Sequence, residues 1–288
     1  MDEIEDKSVL ITGATSGIGK ATALELSSMG FNITFVARDQ KKADKLVREI
    51  YKISGKKSNA LIADLSSIEE IKRVASEFKK LNKPLHVLIN NAGVVNNERK
   101  ETIDGLEEMF ALNHLAYFTL SLLLISKIDK SGQGKIINVS SASHKFVDGM
   151  NFDDLQSERS FKTFKVYGRS KLANILFTKK LAKMAKTNNI TVNCFNPGFV
   201  STSIGSSLNS SFLGKIVFKI SRIFAKSSTK GAETAVYLAS SPEVSGITGE
   251  YFLDCKIAKT SKAAKSEYEA DRLWKISSEL SLINFPLS

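Results

Sequence analysis

Cysteine is nearly absent: Cys194 and Cys255 are the whole complement. They form no C-x-x-C pair, and no histidine stands at metal-ligand spacing from either. A disulfide framework and a zinc site are therefore excluded as organising features, and no metal is expected. A reducing compartment fits this usage. Proline is also scarce, and no Pro-rich linker, low-complexity tract or internal repeat interrupts the chain. No run of about 18 apolar residues appears, so no membrane-spanning helix is expected. The first residues are acidic (Asp2, Glu3, Glu5, Asp6) and lead almost at once into a strand, which argues against a secretory signal. A cytoplasmic setting is expected.

What is present suits a folded core. The 288 residues are 42% hydrophobic and 25% charged, within reach of one α/β domain spanning 1–288. The net charge is +11, and it belongs to the body because the N-terminal end is acidic. A basic body can serve nucleic acid, an anionic membrane or an anionic cofactor. No nucleic-acid module or stacking cluster accompanies the lysines, so nucleic acid is not an expected partner.

Strand and helix patterns alternate almost throughout. Apolar strands are predicted at 7–12, 32–37, 59–62, 87–90, 135–140, 191–196 and 249–253. Helices are predicted at 18–29, 40–54, 68–81, 105–125, 166–185 and 228–240. Such alternation implies a doubly wound parallel sheet of the Rossmann type, α/β in class, with right-handed crossovers. Ligands bind such sheets beyond the carboxyl ends of the strands. Every motif below falls at one of those ends.

The turn Gly13-Ala14-Thr15-Ser16-Gly17-Ile18-Gly19 joins the first strand to the first helix. Glycines permit a tight turn and a close approach of backbone N–H groups to a pyrophosphate, and the helix N-terminus adds a favourable dipole. A merely structural turn is the plain alternative. The second strand ends in Ala37-Arg38-Asp39. Arginine there suits a 2′-phosphate and hence NADP(H), with Lys42 as a helper, whereas Asp39 could serve a ribose hydroxyl. Asp64 and Leu65 follow the third strand. Asp64 could accept a bond from an adenine amino group, or its cluster could cap the helix beginning near residue 68.

Tyr167 and Lys171 lie four apart on a predicted helix and share a face. A tyrosine near pKa ~10 is a poor base at neutral pH. A neighbouring ammonium favours the phenolate and makes the pair a usable general acid/base. Ser140 and Ser141 end a strand where a hydroxyl could bond a carbonyl oxygen, and spacing alone does not separate them. Asn91, Ala92 and Gly93 end the fourth strand, and Asn113 lies in the long helix after it.

Taken in order, Gly13-xxx-Gly17-Ile18-Gly19, Asn90-Asn91-Ala92-Gly93, Asn113, Ser141, Tyr167-xxx-Lys171 and Pro197-Gly198 resemble the short-chain dehydrogenase/reductase family. The stretches 154–158, 170–174, 249–252 and 272–274 resemble its retinol dehydrogenase-like branch. The resemblance implies hydride exchange between NADP(H) and a small apolar carbonyl or alcohol, retinoid or lipid-like. It implies Tyr167 as proton donor or acceptor, with Lys171 lowering its pKa and holding the nicotinamide ribose. Ser141, rather than Ser140, would polarise the carbonyl. Asn113 would kink its helix around a water of a proton relay, and Pro197, Gly198 and Thr202 would line the nicotinamide side. Long helices in this family often form homodimer faces.

Residues 199–226 read as a substrate lid. Leu213, Ile216, Val217, Ile220 and Phe224 form an apolar stripe opposite Lys215, Lys219 and Arg222. A helix resting peripherally on anionic lipid is the rival reading. Residues 256–288 read as a helical tail bordering the substrate entrance. His144 is expected to be structural or solvent-facing rather than catalytic, and Cys194 to pack as a small hydrophobe. The competing function is a nucleotide-sensing interaction or membrane-surface protein with little turnover.

Overall fold

The computed structural model describes residues 7–128, 134–185, 190–198 and 227–285. In β1 (Ser8–Thr12) every residue is buried, and alternate side chains face opposite ways. Val9 and Ile11 pack with α1 (Gly17–Ser28), α2 (Gln40–Ser54) and α7 (Ser228–Ser240). Leu10 packs on the other face with α3 (Ile68–Lys80), α5 (Ala116–Leu124) and α6 (Thr163–Met184). The remaining strands are β2 (Asn32–Ala37), β3 (Asn59–Ile62), β4 (Val87–Asn90), β5 (Gly134–Val139), β6 (Ile190–Asn196), β7 (Tyr251–Leu253) and β8 (Lys256–Ile257). Their order is β3-β2-β1-β4-β5-β6-β7-β8. All pairings are parallel except β7 with β8. This is the Rossmann-type doubly wound sheet, and the order reverses beside β1, where such folds open a crevice.

Local chemistry explains the element ends. Asp39 caps α2 by accepting from the Lys42 N–H at 2.9 Å, and α2 stops at Gly55, left-handed at φ 69°. Ser67 caps α3, whose first turn holds Glu69 and Glu70 and whose last holds Lys79 and Lys80, as the helix dipole favours.

Three expectations are corrected. The helix predicted from residue 105 starts with α4 (Glu108–Phe110), because the buried Glu107 carboxylate caps the Met109 and Phe110 N–H groups. It then passes through a π-helical turn, Ala111–Leu115, before α5. Glu108–Lys127 is long and apolar enough to cross a membrane by length and composition, where no stretch of that kind was expected. Yet 89% of its window is buried inside the fold, as a core helix requires. The tail from residue 256 is not helical throughout. It opens with β8, makes a 3-10 turn at Ala263–Lys265, and becomes α8 only at Glu267–Ser281. The 199–226 segment and Thr202 lie outside the described residues.

Candidate active site

Gly13 begins the crevice. At φ 67° it occupies the left-handed region, and a Cβ there would stand 2.8 Å from the Ala92 Cα. A Cβ on Gly19 would stand 2.5 Å from both Asn91 Nδ2 and the Gly13 carbonyl oxygen. The turn is thus bound tightly to the end of β4. Thr12 Oγ1 accepts from the Asn91 and Ala92 N–H groups at 2.9 and 3.0 Å, and Asn91 Nδ2 donates to the Thr12 and Gly13 carbonyls. Ser16 precedes α1 without a side-chain cap, so the first-turn N–H groups face the crevice with no side-chain partner from that residue.

Gly13, Thr15, Ser16, Gly17, Ile18, Gly19, Arg38, Leu65, Asn91, Ala92 and Gly93 line one cleft of about 570 Å³. Lys42 and Asp39 border it too. Asp39 already serves as the α2 cap, which occupies one of its oxygens. Asp64 stands beside Arg38, with 4.0 Å between carboxylate and guanidinium, and accepts from the Ser66 N–H and hydroxyl. Ser67, not Asp64, caps α3. A cradle that a Cβ would fill and a helix N-terminus together fit a dinucleotide, with the Arg38 cation at the β2 end of the cleft.

The second cluster sits where β4, β5 and α6 meet. Gly93 joins it to the cleft: a Cβ there would lie 3.0 Å from Asn113 Oδ1 and 3.7 Å from Lys171 Nζ. Asn113, carried on the π turn, grips the β4 end with two bonds, one from the Val94 N–H and one to its carbonyl, and donates to Ser170 Oγ. Lys171 Nζ lies 5.6 Å from the Tyr167 ring centre and 5.8 Å from that of Tyr117, and donates to the Val139 carbonyl at 3.3 Å. Tyr117 itself donates to the Ala92 carbonyl.

The two serines now separate. The buried Ser140 hydroxyl donates to the Lys171 carbonyl at 2.9 Å, which ties β5 to α6. Ser141 caps the 3-10 turn Ala142–Phe146, its hydroxyl accepting from the Ser143 N–H and donating to Ser143 Oγ at 3.1 Å, and this turn packs against the part of α6 that carries Tyr167. Gly168 permits this approach, since a Cβ would stand 2.7 Å from the Ser143 carbonyl oxygen.

Burial acts on the tyrosine–lysine pair in opposite directions. It pushes the Tyr167 phenol up to about 12, with the nearby Ser141 hydroxyl pulling back, and pushes Lys171 down to about 7. Desolvation, rather than the ammonium, dominates the phenol, against the expectation that Lys171 would set its pKa. The two shifts favour the uncharged forms of both groups.

His144 is structural, as expected. Its Nδ1 lies 2.7 Å from the Ser141 carbonyl, and its Nε2 accepts from the Ser261 N–H at 3.2 Å. Cys194 is fully buried in an apolar cluster with Leu172 and Tyr251. Pro197 and Gly198 follow β6, half-buried, with the Gly198 N–H bonded to Asn196 Oδ1. Tyr117 carries no signal in the sequence, and Thr12 and Asn174 stand there only as members of motifs, without a role of their own. Asn174 carried a usable signal, since it follows Lys171 by three residues on the same helix face.

Sheet, glycine turn and strand-end cluster define a Rossmann-type oxidoreductase. The chain belongs to the short chain dehydrogenase family, whose model matches residues 7–212. It is similar to retinol dehydrogenase 14 of Homo sapiens, with 41% identity over 94% of this chain and 85% of the relative. It is also similar to retinol dehydrogenase 12 of Mus musculus, with 37% identity over 96% and 87%. Among solved structures, an uncharacterized protein from Mycobacterium Paratuberculosis superposes with a TM-score of 0.79 at 26% identity, covering 99% of this chain and 96% of that one.

Proposed function

We propose that the chain is a single-domain, NADP(H)-dependent oxidoreductase that interconverts an apolar aldehyde or ketone and its alcohol. The observation that carries this reading is the junction at Gly93. The residue lines the nucleotide-sized cleft and at the same time abuts Asn113 and Lys171. A dinucleotide seated on the Gly13–Gly19 turn would therefore end beside the Ser141–Tyr167–Lys171 cluster. The bound nicotinamide supplies or takes the hydride.

The chain's own residues do the rest. Tyr167, held protonated near neutral pH by its raised pKa, gives the phenolic proton to the carbonyl oxygen during reduction. Ser141, on the turn beside α6, donates to the same oxygen and steadies it as charge develops. Lys171 fixes the ribose end of the nucleotide and, when charged, favours the phenolate left behind. Arg38, with Lys42 nearby, takes the 2′-phosphate and selects NADP(H).

Two observations support an apolar substrate. Phe146 and Phe164, each more than half exposed, flank Ser141 and Tyr167 in the chain, and the Lys165 ammonium ties the first turn of α6 to the 3-10 turn by donating to the Phe146 carbonyl. The similar proteins at 41% and 37% identity are retinol dehydrogenases by name. A retinoid or a lipid aldehyde fits both.

The test is NADPH consumption with retinal and a series of medium-chain aldehydes, in the natural chain and in Tyr167→Phe. The variant should lose about 10²- to 10⁴-fold in kcat. Undiminished turnover would remove Tyr167 from this role.

A further inference from the structure

A chain of buried polar groups runs from the C-terminal helix to the lysine of the cluster, and the reading above uses none of its inner members. Ser277 on α8, His114 on the π turn and Asn174 on α6 are all fully buried. His114 Nε2 lies 3.0 Å from Ser277 Oγ, and His114 Nδ1 lies 3.4 Å from Asn174 Oδ1. Asn174 Nδ2 donates to two carbonyls at once: Asn113 at 2.8 Å and Val139 at 3.0 Å. The Val139 carbonyl is also the acceptor for Lys171 Nζ.

We propose that Asn174 is a positioning residue for Lys171 and Asn113, held in its working orientation by His114 and by Ser277 of the C-terminal helix. The inference rests on the role given to Lys171 above.

The donor and acceptor pattern admits one arrangement. Both carbonyls can only accept, so the Asn174 amide must present its NH₂ to them. Its Oδ1 is left to accept, which requires the proton of His114 on Nδ1. Nε2 is then an acceptor, and the Ser277 hydroxyl donates to it. Burial keeps this imidazole neutral by pushing its pKa down to about 4. An inverted amide would aim Oδ1 at two carbonyl oxygens, a repulsion in a setting without water.

The consequence is positional. One NH₂ pins the strand-end carbonyl that receives the lysine and also pins the carbonyl of the turn that carries Asn113. Lys171 meets Tyr167 from its own helix, the Tyr117 ring from α5 and the Val139 carbonyl from β5. The docking of α8, some hundred residues later in sequence, is thereby coupled to the geometry of the ammonium. Aromatic packing secures that docking: Trp274 lies 5.0 Å from Phe118 and 6.1 Å from Phe177 between ring centres.

Asn174→Asp and Ser277→Ala test this, assayed beside Tyr167→Phe. The aspartate keeps the shape and the acceptor of Asn174 but puts negative charge where the donor was. The titration midpoint of Lys171, read by NMR on isotope-labelled lysine, should rise by about one unit or more. Ser277→Ala removes the hydroxyl that sets the His114 tautomer, and kcat should fall about threefold to tenfold with KM for NADPH unchanged. An unmoved Lys171 midpoint in folded Asn174→Asp, or wild-type kcat in Ser277→Ala, overturns the proposal. If Asn174→Asp does not fold, Ser277→Ala decides alone. Full turnover in Tyr167→Phe would instead overturn the proposed reaction, and the lysine midpoint would still judge the positioning claim.

Discussion

The glycine turn at one end of the cleft and the serine–tyrosine–lysine cluster at the other are held by different means. The turn is braced by residues of β1 and β4, adjacent strands, through backbone atoms and the short side chains of Thr12 and Asn91. It needs close approach and left-handed φ values, so its demands fall on single residues. The cluster is braced by buried side chains reaching from α5, α6, β5 and the C-terminal segment. Two histidines make long reaches. His144 bonds the Ser141 carbonyl to the Ser261 N–H, and His114 bonds the π turn to Ser277. One end of the cleft is a local device. The other is a product of the whole fold.

That contrast sets how each end should fail. The largest effect is expected from Gly13→Val. A Cβ would stand 2.8 Å from the Ala92 Cα at a φ that β-branched residues avoid, so calorimetry should detect no NADPH binding, while the melting temperature falls only modestly. Near-normal binding in that variant would break the local half of the comparison.

The other half should fail through pH. His114 is neutral in the fold, with its pKa depressed to about 4, whereas the unfolded chain returns it to its ordinary value of 6.5. Below that value the unfolded state binds the extra proton, so stability is lost as pH falls from about 6.5 towards about 4. The span corresponds to about 3 kcal/mol. Denaturant midpoints across that window should drop for the natural chain and stay flatter for His114→Gln. Equal slopes would mean that His114 does not bear the long-range bracing.

The same contrast explains what could be read from the amino-acid order. The glycine turn, Arg38 at the end of β2 and the Tyr167–Lys171 spacing are short patterns whose physical purpose is local, and all are legible. Ser140 and Ser141 are not separable by pattern, because only the path of β5 decides which hydroxyl turns inward to the Lys171 carbonyl. The bond between His114 and Ser277 spans 163 residues, and no periodicity marks it. The early helix start at 105 fails for a related reason: Glu107, not a usual capping residue, caps while buried, and Gly105 turns left-handed at φ 73° before it. Strand β8, only two residues long, is too short for any alternation to appear.

The proposed reaction depends first on the identity of the molecule that occupies the cleft. The most direct measurement is calorimetric titration of the natural chain and of Arg38→Glu with NADPH and with NADH. One site per chain is expected, with tighter binding of NADPH than of NADH and a loss of about 10- to 100-fold in NADPH affinity for the variant, as for a charged hydrogen bond removed. Tighter binding of NADH by the natural chain, or no binding of either nucleotide, would contradict it.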